Sequence, residues 1–323
     1  MYPCFISIIG RVKKLNKKVI IDVDTGVDDA LGLLLAIRSG ELDILGITTV
    51  NGNVSMEQAT ANTCKILQLA GAEHIPVVQG AGKPMIRSTY FEHRVHGKDG
   101  LGGALDDMTQ RKQPEEGYAV DFIIEQIREH HGEITLIMTG PLTNLALAIL
   151  KYPELVQQVK EVVVMGGVVQ SFGNVTPTAE YNMYVDPEAA KHVFWAGFAS
   201  LTLVGLDVTR KALLSEEHIN AMGDSEIARY VRASTADYMK RYQERNGVKA
   251  CAMHDPLAVA VAINPDLVKT GHYYVDIETR SELCDGQTVC DFQNRLAVKP
   301  NVHVCLEVAA DEFINHFIRV LRG

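Results

Sequence analysis

Apolar and polar positions alternate along this chain in two patterns. Short runs rich in Val, Ile, Leu and Thr predict strands at 18–24, 43–50, 75–79, 134–139, 161–165, 201–208, 272–277 and 302–308. Between them, apolar residues recurring every three or four positions predict helices at 28–38, 55–70, 118–130, 142–150, 187–195, 226–245, 256–263 and 311–321. Most strand runs are continuously apolar, as in strands covered on both faces. The pattern therefore predicts an α/β fold with a mainly parallel central sheet flanked by helices. No Pro/Ser-rich linker, composition shift or internal repeat divides the chain, so residues 17–323 read as one domain. Residues 1–16 read as a flexible N-terminal extension. Its basic residues Arg11, Lys13 and Lys14 follow the apolar patch at 5–9, the reverse of a secretory signal. Residues 83–113 and 166–184 read as long loops, which in compact α/β proteins often bind ligands.

Composition narrows the function. The chain has 323 residues, 47% of them hydrophobic, which is ample for a large core. Its net charge is −9, and it has no long basic run, so nucleic acid and anionic membrane are poor partners. An uncharged small molecule fits that balance. No apolar run reaches the ~18–20 residues of a membrane span. Cys4, Cys64, Cys251, Cys284, Cys290 and Cys305 form no CxxC pair or zinc-like spacing. They read as reduced thiols of a cytoplasmic protein.

In open α/β sheets ligands sit beyond the carboxyl ends of the strands. The first predicted strand ends there in Asp22-Val-Asp24-Thr-Gly-Val-Asp28-Asp29. Asp22 and Asp24 are two apart on a strand and point the same way. Asp28 and Asp29 open a helix, whose dipole favours carboxylates. Each close pair at ~4 Å costs roughly 4 kcal/mol at an effective dielectric near 20, more than one helix end offsets. A divalent cation would offset it, and all-oxygen ligands imply Ca2+ or Mg2+ rather than Zn2+. An EF-hand loop is excluded, because Gly26 stands fifth and Val27 sixth in the run. A haloacid-dehalogenase-type phosphatase shares D-x-D but has Thr or Val where Gly26 stands; it is the leading competitor from another reaction class.

The cluster resembles the N-terminal fingerprint of the inosine–uridine nucleoside hydrolase family, D-x-D-x-G-x-D-D. The resemblance continues in order through Thr48-Thr-Val-Asn-Gly-Asn53, His96-Gly97, Thr139-Gly-Pro-Leu-Thr-Asn144, Met165-Gly-Gly167, Glu180-Tyr-Asn182 with Asp186-Pro-Glu188, and His254-Asp-Pro-Leu257. It implies the nucleoside hydrolase fold and hydrolysis of ribonucleosides to ribose and free base in purine or pyrimidine salvage. It implies one Ca2+, ahead of Mg2+, held by Asp24, Asp29, Asp255 and the Thr139 carbonyl. Asp24 would activate the Ca-bound water. Asp28, Asn182 and Asp255 would fix the ribose diol, Asn174 and Glu180 the 5′-hydroxyl, and Met165 would underlie the sugar. Asn53 would sit beside the sugar and water. His96 and His254 would lie near the base, with His254 as candidate proton donor. The family also implies a homodimer or homotetramer.

Several of these residues also have ordinary structural readings. Taken alone, Asp255-Pro256 is a common helix start. Met165 ends a buried strand, and Tyr238 and Tyr242, four apart on a helix, could simply pack the core. The resemblance places those tyrosines over the base. His96 could belong to a polar surface loop. Asn144 reads as a helix-start residue, and Asp22 is left without a role. A catalytically inactive nucleoside-binding protein on the same fold is the second competitor.

Overall fold

The computed structural model describes residues 16–91 and 97–322. Its centre is an eight-stranded sheet with strand order β3-β2-β1-β4-β5-β6-β12-β9. The strands are β1 Lys17–Val23, β2 Leu42–Thr49, β3 Val77–Gln79, β4 Thr135–Met138, β5 Glu161–Met165, β6 Leu201–Val204, β9 Val268–Tyr273 and β12 Val302–Val308. Every neighbouring pair is parallel except β9–β12 at the edge. This is the mainly parallel sheet implied by the apolar runs. The longer helices are α1 Val27–Ser39, α2 Met56–Ala70, α3 Ala119–Glu129, α4 Thr143–Lys151, α5 Pro187–Trp195, α6 Glu226–Asn246, α7 His254–Ile263 and α8 Ala310–Arg322.

Side chains alternate across the strands and feed two cores. Val19, Ile21, Val23, Ile137 and Val163 join α1, α7 and α8 on one face. Ile20, Leu136, Val162 and Val164 join α3, α4 and α5 on the other. The sheet grows outward in opposite directions from β1 and β4, which pair with each other, so the two halves of the sheet meet there. Such a switch point opens a crevice at the strands' carboxyl ends.

Three local expectations change. The run at 201–208 is a strand only to Val204. Gly205 then caps a helical turn, Leu206–Thr209, because the Leu206 N–H is taken by the Gly167 carbonyl at 2.9 Å. The run at 272–277 divides between two sheets. Its first residues finish β9, whereas β10 (Val275–Ile277) pairs antiparallel with β11 (Thr288–Cys290). The Asn301 side chain takes the Val275 N–H at 2.8 Å and helps hold this departure. A second ribbon, β7 (Leu213–Ser215) with β8 (Ala250–Ala252), lies outside every predicted strand. Among the described residues, no helix is long and apolar enough to cross a membrane.

Candidate active site

Three strand ends and two helix starts converge at the switch point. β1 delivers Asp22 and, one residue beyond its end, Asp24; α1 follows at once with Asp28 and Asp29 in its first turn. Gly26 is the N-cap of α1, and its N–H reaches back to Asp29 Oδ2 at 2.9 Å, so the acidic turn is locally self-bracing. β4 leads into Thr139, whose hydroxyl donates to Asp29 Oδ1 at 2.8 Å. β2 leads into the turn Val50–Val54, from which the Asn53 N–H donates to Asp24 Oδ2 at 2.6 Å and the Asn53 amide to Asp29 Oδ2 at 3.2 Å. A Cβ at Gly52 would lie 1.9 Å from Asp24 Oδ2, so only glycine allows this approach.

Asp255 arrives from α7. α7 begins at His254 with Met253 as N-cap, two residues before the expected 256, and Asp255 lies within the first helical turn. Its carboxylate is thereby directed to the other acids. One carboxylate oxygen each from Asp28, Asp29 and Asp255 lie within 4.8 Å of one another.

Asp22, Asp24, Asp28, Asp29 and Asp255 are all buried. Burial raises every one of their pKa values, and repulsion from neighbouring aspartates adds to it at Asp22, Asp24, Asp28 and Asp255. Asp22 and Asp28 are pushed up to about 7. Asp24 and Asp255 are held well above the usual carboxylate range. Asp24 Oδ1 is buried with no hydrogen-bond partner. Crowded, desolvated carboxylates and an orphaned oxygen are a donor set suited to a hard divalent cation. The cluster can therefore hold a metal ion.

Asp22 acquires a role that the sequence did not supply. It accepts hydrogen bonds from Thr48 Oγ1 and from Asn144 Nδ2, the latter at 2.7 Å. Asn144 also takes the Ala81 N–H at 2.8 Å. Asp22 thus ties the acidic strand end to β2 and α4 and supports its neighbours from beneath. It is fully buried, with Oδ2 engaged by both Thr48 and Asn144.

Above the acids lies a cavity of about 630 Å³. Asp28, Asn53, Thr139, Met165, Asn182 and Asp255 line its floor, and Asn174 and Glu180 one wall. Glu180 caps the short helix Tyr181–Val185. Its carboxylate accepts from Gly167, Asn182 and Met183 N–H groups at 2.9 to 3.2 Å. Asn174 Oδ1 accepts from the Tyr181 N–H at 3.0 Å. The Asn182 amide donates to the Thr139 carbonyl at 2.7 Å. That carbonyl keeps a second lone pair.

Tyr238, Tyr242 and His254 also line the cavity. The two rings meet edge-on at 6.3 Å, and the Tyr238 hydroxyl donates to the Ala252 carbonyl at 3.3 Å. His254 Nδ1 lies 2.7 Å from Thr209 Oγ1. Asp24 and Asp29 lie in the cluster without lining the cavity. His96 lies outside the described residues. Phe172, Arg210, Arg241 and Asn246 also line the cavity. No motif marks these four, and only the fold brings them to it.

The chain is similar to known proteins over nearly its whole length. Residues 19–315 match the family model described as inosine-uridine preferring nucleoside hydrolase. The inosine-uridine preferring nucleoside hydrolase of Crithidia fasciculata is 37% identical over 302 residues, covering 93% of this chain and 95% of that protein. A plant nucleoside hydrolase structure superposes with a TM-score of 0.89 at 32% identity, covering 96% of this chain and 100% of that one. The purine-preferring ribonucleoside hydrolase from Gardnerella vaginalis gives 0.88 at 32% identity, covering 95% and 98%. With the acidic strand end, the sheet and the cavity in agreement, the chain belongs to the inosine-uridine preferring nucleoside hydrolase family, hydrolases acting on N-glycosyl bonds.

Proposed function

We propose that residues 17–323 form a catalytic domain that cleaves ribonucleosides to ribose and free base, with Ca2+ as its ion. Asp24, Asp29, Asp255 and the Thr139 carbonyl would hold that ion. When bound, the ion supplies Lewis acidity, acidifying water and offsetting the repulsion among the carboxylates. The observation that carries the reading is the buried, orphaned Asp24 Oδ1 in a cluster whose acids are all raised by burial.

In this reading Asp24 takes the proton of the attacking water. The water oxygen bonds to C1′ as the C1′–N bond breaks, through an oxocarbenium-like ribosyl centre. The acidic floor stabilises that positive charge. Asp28, Asn182 and Asp255 hold the ribose diol, Asn53 flanks it, and Met165 lies under the ring. Asn174 and Glu180 meet the 5′-hydroxyl. His254 gives a proton to the departing base, and its Nδ1 contact with Thr209 fixes the ring orientation. Tyr238 and Tyr242 contact the base. A homodimer or homotetramer in the cytoplasm completes the proposal.

The test is ribose release from uridine, cytidine, inosine, adenosine and guanosine, with and without chelator. Ribose from at least one, lost on chelation and restored by Ca2+, is expected. Tight nucleoside binding with no ribose release would instead mark a binding protein.

A further inference from the structure

The segment from Gly166 to Glu180 carries Asn174 and Glu180, and the turn that follows β6 fastens it at two points. Asp207 takes the N–H groups of Val169 and Gln170 on its two carboxylate oxygens, at 2.8 and 3.0 Å. Three residues on, Arg210 donates from Nη1 to the Phe172 carbonyl at 2.6 Å and from Nη2 to the Gly173 carbonyl at 2.9 Å. Its guanidinium also lies over the Phe172 ring, 4.3 Å from the centroid. Phe172 is 65% exposed, so no core holds this ring in place. Two successive carbonyls and an aromatic face match a planar fork that only arginine offers.

The gripped peptide leads directly into the site. Gly173 precedes Asn174, and both begin a tight reversal: Gly173 N–H donates to the Pro177 carbonyl and Asn174 N–H to the Ala179 carbonyl, at 3.0 and 3.1 Å. Glu180 follows that reversal. The same turn supplies Thr209 to His254, so one short stretch holds both the 166–180 loop and a cavity-lining histidine.

We propose that Arg210 is a positioning residue that latches the 166–180 loop, so that Asn174 and Glu180 present a preformed subsite to the substrate's 5′-hydroxyl. The inference rests on the assignment of Asn174 and Glu180 to that hydroxyl. Without the latch, the loop must be ordered by the substrate itself, and apparent affinity falls by the fraction of time the subsite is formed. A geometric error of about 1 Å in such a subsite costs up to ~100-fold.

The experiment compares uridine or inosine, whichever the enzyme cleaves faster, with its 5′-deoxy counterpart in wild type, Arg210→Met, Arg210→Lys and Phe172→Leu. Wild type should prefer the 5′-hydroxyl substrate. Arg210→Met should lose ~10- to 100-fold in kcat/KM on it, chiefly through KM, and under about threefold on the 5′-deoxy substrate. Arg210→Lys should not recover the loss, because a point charge cannot bridge both carbonyls, and Phe172→Leu should lie between. Hydrogen exchange at the Gly173 and Asn174 amides, which needs no substrate, should quicken by at least about tenfold in Arg210→Met. Equal losses on both substrates overturn the positioning role, and unchanged exchange overturns the latch. A wild type indifferent to the 5′-hydroxyl overturns the assignment of Asn174 and Glu180 instead, and exchange then decides the latch by itself.

Discussion

Gly52 touches no substrate in this scheme, yet Gly52→Ala should cripple the enzyme. The added methyl would stand 1.9 Å from Asp24 Oδ2, 2.6 Å from its Cγ and 2.8 Å from its Cβ. Asp24 is 0% exposed and has no room to swing aside. The turn carrying Asn53 must therefore retreat by about 1 Å or more to reach ordinary contact, a displacement that can cost ~100-fold in rate when it falls on a catalytic group. The retreat also breaks the 2.6 Å Asn53 N–H bond to Asp24 Oδ2, a bond to a charged acceptor worth about 1.5–3 kcal/mol. The expected outcome is a drop in kcat/KM of roughly 30- to 300-fold, from the displacement and the lost bond together. The melting temperature should fall by several degrees, since each kcal/mol is worth ~2–4 °C in a large domain. Steady-state ribose release and a thermal melt measure both. A Gly52→Ala enzyme with near-wild-type kcat/KM would refute the claim that the turn aims Asp24.

Asp24→Ala should abolish ribose release while far-UV circular dichroism stays native; appreciable turnover would remove Asp24 as the base. His254→Ala should slow hydrolysis of a natural nucleoside much more, by ~10²–10⁴-fold, than that of an aryl riboside whose leaving group needs no proton. Equal losses on the two substrates would argue against leaving-group protonation. Stability should also depend on pH in a set direction. The cluster's carboxylates have folded pKa values above the ordinary 3.8, with Asp22 and Asp28 at about 7. The folded state therefore binds more protons than the unfolded chain between pH ~4 and ~7, and stability falls as pH rises through that window. In chelator the melting temperature should drop from pH 5 to pH 7.5, and saturating Ca2+ should flatten the slope. A rising or flat profile in chelator would show that the acids are not strained.

Much of this was legible in the sequence because burial and local chemistry leave short-range marks. Continuous apolar runs such as 161–165 announce a strand covered on both faces, and four aspartates within eight residues announce an unbalanced charge, whatever the rest of the chain does. The sequence also put Asn144 at a helix start, where α4 does carry it in its first turn. Periodicity falters where a run changes partner. At Val204 and Tyr273 the chain leaves the main sheet through hydrogen bonds to Gly167 and to Asn301, residues far away in the sequence. Asp255-Pro256 reads locally as a helix start, but α7 begins at His254, two residues before the expected 256, so Asp255 falls inside its first turn.

What the sequence alone determined was the fold class and the acids that need a counter-charge. Tertiary structure decided what completes and steadies the site. Strand order sets β2 and β4 on either side of β1, which brings Asn53 and Thr139 to the aspartates. It turned Asp22 from an acid without a role into a brace through Thr48 and Asn144. It also set the turn after β6 beneath the 166–180 loop, so that Arg210, unmarked by any motif, grips Phe172 and Gly173. The physical reason is that burial is written locally in a chain, whereas a hydrogen bond across 38 or 122 residues depends on which strands become neighbours.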